Sequence, residues 1–507
     1  MSALAQPLAQ SAVQSVDWLA IAPPTAAAVV ALVVLVADLF LSDARKAVLG
    51  WVSVAGLAAS ALLLLPLLDG DRSTFCLTGD PRACSYTADR FTLVVQFLVL
   101  GGALLAALLS VTALKDARRN IPEGEFWFLL LSSAAGAALL PASRDLATLV
   151  VALEVASLPA FALVGIRHGD RKSSEAALKF FLSSVTATAV SLMGISFVYA
   201  STGTLYLTQV ADRIQHVPGQ LHTLVQAGVV LTLVGFAFKT AAVPFHFWVP
   251  DTYVGAPLPV AAYLSVVGKA VGFSGLILVT VVALPSYGDV WGPALAALAA
   301  LTMTVGNVGA LRQQATRAYS AVRLLAWSSV GQAGYLLVPI AAAGYAEDPQ
   351  KAIGSTVAYA LMYAAVNLGA FAVAAVVGRT KSLNRVSDYR GLYASNPLAA
   401  LTLAFFLLCL AGLPPGVIGL FAKVTVFSAA VDAGLGWLAV VMAVNVVIAL
   451  FYYLQWTALL FRAPEGEPAK HHVPAPLTAA ITLTAVLGVA LSGAPQLVLR
   501  FAATGLF

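Results

Sequence analysis

Long apolar runs separated by short polar or Gly/Pro-containing stretches recur along the whole chain. Fourteen can be marked, near residues 18–41, 47–68, 91–114, 125–141, 145–166, 176–200, 222–248, 258–283, 291–311, 323–343, 352–378, 397–432, 436–461 and 474–499. A helix rises about 1.5 Å per residue, so about 20 residues cross the roughly 30 Å hydrocarbon core of a bilayer. The runs meet that length, and they are too long and too continuously apolar for the alternating strands of a membrane barrel. The pattern predicts an all-α integral membrane protein of about 14 transmembrane helices. Composition agrees: 60% of residues belong to the AVILMFWYC set and only 10% are charged, against about 25% charged in a soluble domain.

Charge adds an orientation. Lys and Arg in the connections number 17 on the side reached after odd-numbered segments and 7 on the other. The positive-inside bias then places both termini on the outer side of a bacterial cytoplasmic membrane. The net charge of +5 is spread over short loops without a basic run, so no nucleic acid partner is expected. Residues 1–17 contain no Lys or Arg, which is unlike a signal peptide, and no cleaved leader is expected. The three cysteines, Cys76, Cys84 and Cys409, form no metal-ligand pattern, so no metal or redox cofactor is expected in this chain. Cys76 and Cys84 share one polar loop, and a disulfide and two free thiols both fit that spacing.

Four cations fall inside apolar segments, and all are lysines: Lys179, Lys239, Lys269 and Lys423. A charge at a helix centre costs about 2.5–3.5 kcal/mol on insertion scales, so each needs a reason. Lysine loses its proton when desolvated far more readily than arginine, which makes it the residue to expect where protonation must change. Lys179 lies close enough to the inner loop to snorkel. Lys239 is about 22 Å along the helix from Leu224 and about 18 Å from Asp251, beyond the reach of either surface. Lys269 is also central, and Lys423 follows the helix-breaking Gly412-Leu413-Pro414-Pro415-Gly416. Glu154 is the one deep carboxylate that could serve as counter-ion; Asp38 lies near a helix end, where a solvated or capping role suffices.

The segments also repeat. Helices 4–8 and 9–13 form two groups of five, and an odd number forces the second group to enter from the opposite face. The fourth member of each group pairs a lysine with prolines: Lys239 with Pro244, and Lys423 with Pro414 and Pro415. The expected organisation is residues 1–124 (helices 1–3), 125–283 and 284–461 (inverted repeats, with helices 7 and 12 broken) and 462–507 (helix 14).

Residues 90–460 resemble the antiporter-like membrane subunits of NADH-quinone oxidoreductase, respiratory complex I, and of cation/proton antiporter complexes. The resemblance rests on Phe238-Lys239-Thr240-Ala241-Ala242-Val243-Pro244-Phe245-His246-Phe247-Trp248-Val249-Pro250-Asp251, on Leu410 to Gly416 leading to Lys423, and on Leu325 to Val330. Glu154 to Pro159 and Ser174 to Phe181 are most similar to the N type of these subunits, as is a lysine at 423. The resemblance implies a proton relay with Glu154 and Lys239 as a pair, Lys269 as connector and Lys423 as gate of the outer half. Lys179 and His246 are secondary candidates, and a structural hydrogen bond fits His246 as well as a relay role. It also implies neighbouring membrane subunits, with flavin, iron-sulfur clusters and quinone chemistry in partner subunits. Val254 and Gln332 depart from the family, where an acid and a histidine are common, and leave the proton route open. A subunit of an antiporter complex, a stand-alone solute transporter and a passive scaffold are the competing functions.

Overall fold

The computed structural model describes residues 16–116, 120–346, 348–464, 473–502 and 505–507. Charges expected on the inner side at Arg118, Arg119 and Lys470 lie outside them, as do residues 1–15. Every backbone polar group in hydrocarbon needs an internal partner, and the chain responds with helix nearly throughout. In order these are α1 (Ala22–Asp38), α2 (Ala47–Leu62), α3 (Arg90–Asp116), α4 (Glu123–Leu139), α5 (Leu146–Val164), α6 (Arg171–Thr202), α7 (Leu207–Arg213), α8 (His222–Thr240), α9 (Trp248–Gly255) and α10 (Leu258–Tyr263). Then come α11 (Lys269–Ile277), α12 (Gly288–Leu311), α13 (Ser320–Ala343), α14 (Pro349–Thr380), α15 (Leu392–Ser395), α16 (Pro397–Ala411), α17 (Val417–Asp432), α18 (Gly436–Phe461), α19 (Ala475–Gly493) and α20 (Gln496–Leu499). Twelve helical stretches among the described residues are long and apolar enough to cross a membrane, and α1 and α16 are shorter apolar helices.

Short polar residues set several helix starts. Asp145 accepts from the Thr148 amide at 2.7 Å, Asp170 from that of Lys172 at 3.0 Å, Asp348 from that of Gln350 at 3.0 Å, and Asn396 from that of Ala399 at 3.2 Å. Each satisfies a donor that the first helical turn leaves unpaired. The hydrophobic windows of Ser320–Ala343 and Pro349–Thr380 are 94% and 89% buried, so α13 and α14 form the centre, whereas those of α18 and α19 are only 33% and 28% buried. Close contacts depend on small residues: a Cβ on Gly194 of α6 would sit 2.8 Å from the Gly228 carbonyl of α8. Without such a pair these two backbones could not approach.

Three features lay outside the sequence expectations. Residues 72–88 form a hairpin, β1 (Arg72–Leu77) antiparallel to β2 (Asp80–Ala88), closed by a Cys76–Cys84 disulfide. Polar, β-branched residues such as Thr74 and Thr87 favour a ladder over a helix where water is available. The hairpin is tied to α7, because the Gln209 side chain donates to Asp80 at 3.0 Å. Finally, the stretch 258–283 is interrupted by π turns at Leu264–Gly268 and Leu278–Ala283.

Candidate functional site

The stretch marked as 222–248 is helical only to Thr240, and a second helix begins at its last residue. Its first part, α8, stops at Thr240 because Ala241 adopts a left-handed φ of 67°, and helix resumes only at Trp248. The Val243–Pro244 bond is cis, and Pro244 brings no N–H with which to continue a ladder. Lys239 sits in the last turn before this break and is buried. Its Nζ lies 5.3 Å from the Phe161 ring centre on α5 and 5.0 Å from that of Phe180 on α6. Aromatic faces stabilise a desolvated ammonium through their quadrupoles. Glu154 is half-buried on α5, and its Oε1 accepts from the Thr188 hydroxyl at 2.7 Å. The carboxylate and the Lys239 ammonium form no direct ion pair: one is bonded to Thr188 and the other lies between the two rings.

Lys269 opens α11 directly after the first π turn and is buried. Such turns leave the regular ladder and often occur at functional positions. Its Nζ donates to the Thr240 carbonyl at 3.2 Å, the end of α8 exposed by the break. The other interruption repeats this. Helix α16 ends at Ala411, followed by Gly412 with φ of 86°, the Pro414–Pro415 bond is cis, and α17 begins at Val417. Lys423, buried on α17, reaches back and donates to the Leu410 carbonyl at 2.8 Å and the Ala411 carbonyl at 2.6 Å. The last carbonyls of a helix lack backbone partners and carry the negative end of its dipole, so a broken helix offers a cation a site without any carboxylate.

A hydroxyl and amide cluster that the sequence analysis did not assemble surrounds Lys423. Gln332 donates from Nε2 to Tyr453 at 3.2 Å, and its Oε1 accepts from Tyr359. Tyr453 shares a 2.5 Å hydrogen bond with Ser328. Beside it Tyr363 donates to Ser329 at 2.9 Å, and Ser329 faces Tyr253 at 3.5 Å. A cavity of about 20 Å³, roughly one water-sized space, lies between Gln332, Tyr359, Tyr363 and Lys423. Helical spacing was the available signal: Ser328 and Gln332 are four apart, as are Tyr359 and Tyr363, so each pair presents one polar stripe.

The secondary candidates lie elsewhere. Lys179 is 47% exposed and makes two ion pairs, with Glu175 and Asp251, each at 2.8 Å. His246 lies within the first break, 5.5 Å from the Trp327 ring. Asp38 pairs with Lys46 at 3.1 Å. Among the described residues no group of three or more His, Cys, Asp or Glu is assembled to hold a metal.

These differences decide what each lysine can do. Deprotonating Lys179 would leave Glu175 unpaired and Asp251 held only by Arg323, at 3.5 Å. Lys269 and Lys423 are held by neutral carbonyl dipoles, so either can exchange a proton without leaving a bare anion in the membrane.

Residues 143–449 match the family model described as NADH:quinone oxidoreductase/Mrp antiporter, TM. The chain is 74% identical to NADH-quinone oxidoreductase subunit N 2 of Streptomyces griseus subsp. griseus, over 98% of this chain and 96% of that protein. A chain of respiratory complex I from Thermus thermophilus with bound aureothin superposes with a TM-score of 0.76 at 32% identity, covering 95% of this chain and 100% of that one. A chain of the Mrp complex from Dietzia sp. DQ12-45-1b shares the fold, with a TM-score of 0.80 at 21% identity over 94% and 96% of the two chains. On the combined strength of these matches, this chain belongs to the NADH:quinone oxidoreductase/Mrp antiporter membrane-subunit family.

Proposed function

We propose that the chain is a proton-translocating membrane subunit of an NADH-quinone oxidoreductase, in which Glu154, Lys239, Lys269 and Lys423 carry protons through the membrane interior. The observation that carries this is the placement of Lys269 and Lys423 on the carbonyl ends of the two interrupted helices. On this reading α4–α11 and α12–α18 are inverted repeats among 14 membrane crossings, the cation-rich face is cytoplasmic and both termini lie outside. Glu154 tunes Lys239 without contacting it, and the Gln332–Tyr359–Tyr453 cluster takes the place of a histidine beside Lys423. Energy comes from quinone reduction in partner subunits, which carry the flavin, the iron-sulfur clusters and the quinone site.

The test compares two lysines. Lys239→Ala lowers proton uptake by vesicles containing the whole complex far more than Lys179→Ala. Equal loss from both, or full pumping by an intact Lys239→Ala complex, would refute the assignment. Membership of a cation/proton antiporter complex is the alternative within the family, and it predicts sodium exchange with no NADH-linked subunits co-purifying.

A further inference from the structure

Outside the relay, four cations and two acids ring a cavity of about 300 Å³ where α6, α9 and the start of α13 meet. The cations are Lys172, Lys179, Arg317 and Arg323, and the acids are Glu175 and Asp251. Both acids are already engaged: Glu175 by Lys179, and Asp251 by Lys179 and, at 3.5 Å, by Arg323. Lys172 and Arg317 are left without a carboxylate within ion-pair distance among the described residues; Lys172 rests over the Tyr319 ring at 4.6 Å. Both are exposed, so the surplus of two positive charges faces outward.

The cavity also has an apolar extension. Lys172, Glu175 and Lys179 lie along one side of α6, and Leu178, Leu182 and Val185 continue that exposed side into the membrane span. An anion bound here would therefore stand at the membrane boundary with an exposed hydrocarbon-compatible track beside it. A phosphate group alone uses the first feature only, whereas a phospholipid uses both.

We propose that this cavity binds the phosphate headgroup of an anionic phospholipid on the cation-rich face, with Lys172 and Arg317 as its charge partners and an acyl chain along Leu178, Leu182 and Val185. Because Lys172 belongs to α6 and Arg317 precedes α13, one bound lipid would bridge the two halves of the chain at the foot of the first broken helix.

The test uses the whole complex in detergent, stripped of loosely bound lipid and titrated with phosphatidylglycerol while its thermal stability is followed. At about a fivefold loss of affinity per basic side chain near a membrane surface, the K172Q/R317Q double variant needs roughly thirtyfold more phosphatidylglycerol for half-maximal stabilisation. It also retains one fewer phosphatidylglycerol per complex by lipid mass spectrometry, while R82Q, on the hairpin, behaves as wild type. Identical titrations and lipid counts for the double variant and wild type would overturn the proposal. So would equal stabilisation by inorganic phosphate, which marks a free-anion site, or a cross-link from a photoreactive residue at 317 to another subunit, which marks a protein contact.

Discussion

Replacing Lys423 by Met separates structure from proton transfer, because the side chain keeps its approximate volume and loses its ammonium. Two acceptors lose their donor: the Ala411 carbonyl, bonded at 2.6 Å, and the Leu410 carbonyl, bonded at 2.8 Å, which keeps a long 3.5 Å contact with Gln332. A stranded buried acceptor costs about 1–3 kcal/mol, so the gross loss is about 2–6 kcal/mol. Against this stands the desolvation of a buried ammonium, itself several kcal/mol, which the substitution removes. The two effects are of the same size and opposite sign, so the complex assembles with stability within about 2 kcal/mol of wild type. Transport has no such compensation, because methionine cannot take up a proton. The initial rate of proton uptake, measured together with NADH oxidation in reconstituted vesicles, falls at least about tenfold, equivalent to more than about 1.4 kcal/mol on the barrier. An intact Lys423→Met complex that pumps at the wild-type rate per NADH oxidised would refute the reasoning.

Three further outcomes follow from the geometry. Gly412→Ala places a Cβ 3.2 Å from Lys423 Cδ and Nζ at a φ of 86°, so it costs about 1–2 kcal/mol in the thermal transition and lowers pumping by displacing the lysine. Asp89→Ala strands Arg144, which is buried and also donates to the Pro141 and Ser143 carbonyls at 2.8 and 3.0 Å; a loss of about 3–5 kcal/mol should appear in denaturation of the complex. Cys84→Ser opens a short loop closed across eight positions, worth about 2–3 kcal/mol locally, and raises amide exchange in residues 72–88 without changing pumping.

Much of this architecture was legible before any coordinates, for a simple reason. Hydrocarbon penalises every unpaired amide and every charge, so helix spans and the four misplaced lysines are written directly into the order of residues. The breaks at Pro244 and Pro414–Pro415 were legible as well, since a missing N–H is a local property. What the lysines touch was not. Lys239 and Glu154 were expected to pair, yet Glu154 bonds Thr188 while Lys239 lies between two rings, because the facing residues are chosen by how α5, α6 and α8 pack. The tyrosines around Gln332 did not stand out, because a hydropathy pattern weighs the ring and overlooks the hydroxyl. Hairpin and disulfide depended on a turn geometry that leaves little trace in composition.

The carbonyl end of α16 carries one more implication, which comes from counting hydrogens on nitrogen. A lysine ammonium has three, and two are directed at Leu410 and Ala411. Only the third is spare, and the small space beside Gln332 and Tyr359 is where it can point. The neutral amine still has two N–H groups and gains a lone pair, so both carbonyl bonds can survive the departure of the third hydrogen. The helix end thus acts as a jig: it holds the nitrogen still in both charge states and leaves one direction open for exchange. Lys269, with one carbonyl to satisfy, keeps two directions open, as suits a residue that must receive from one side and pass to the other.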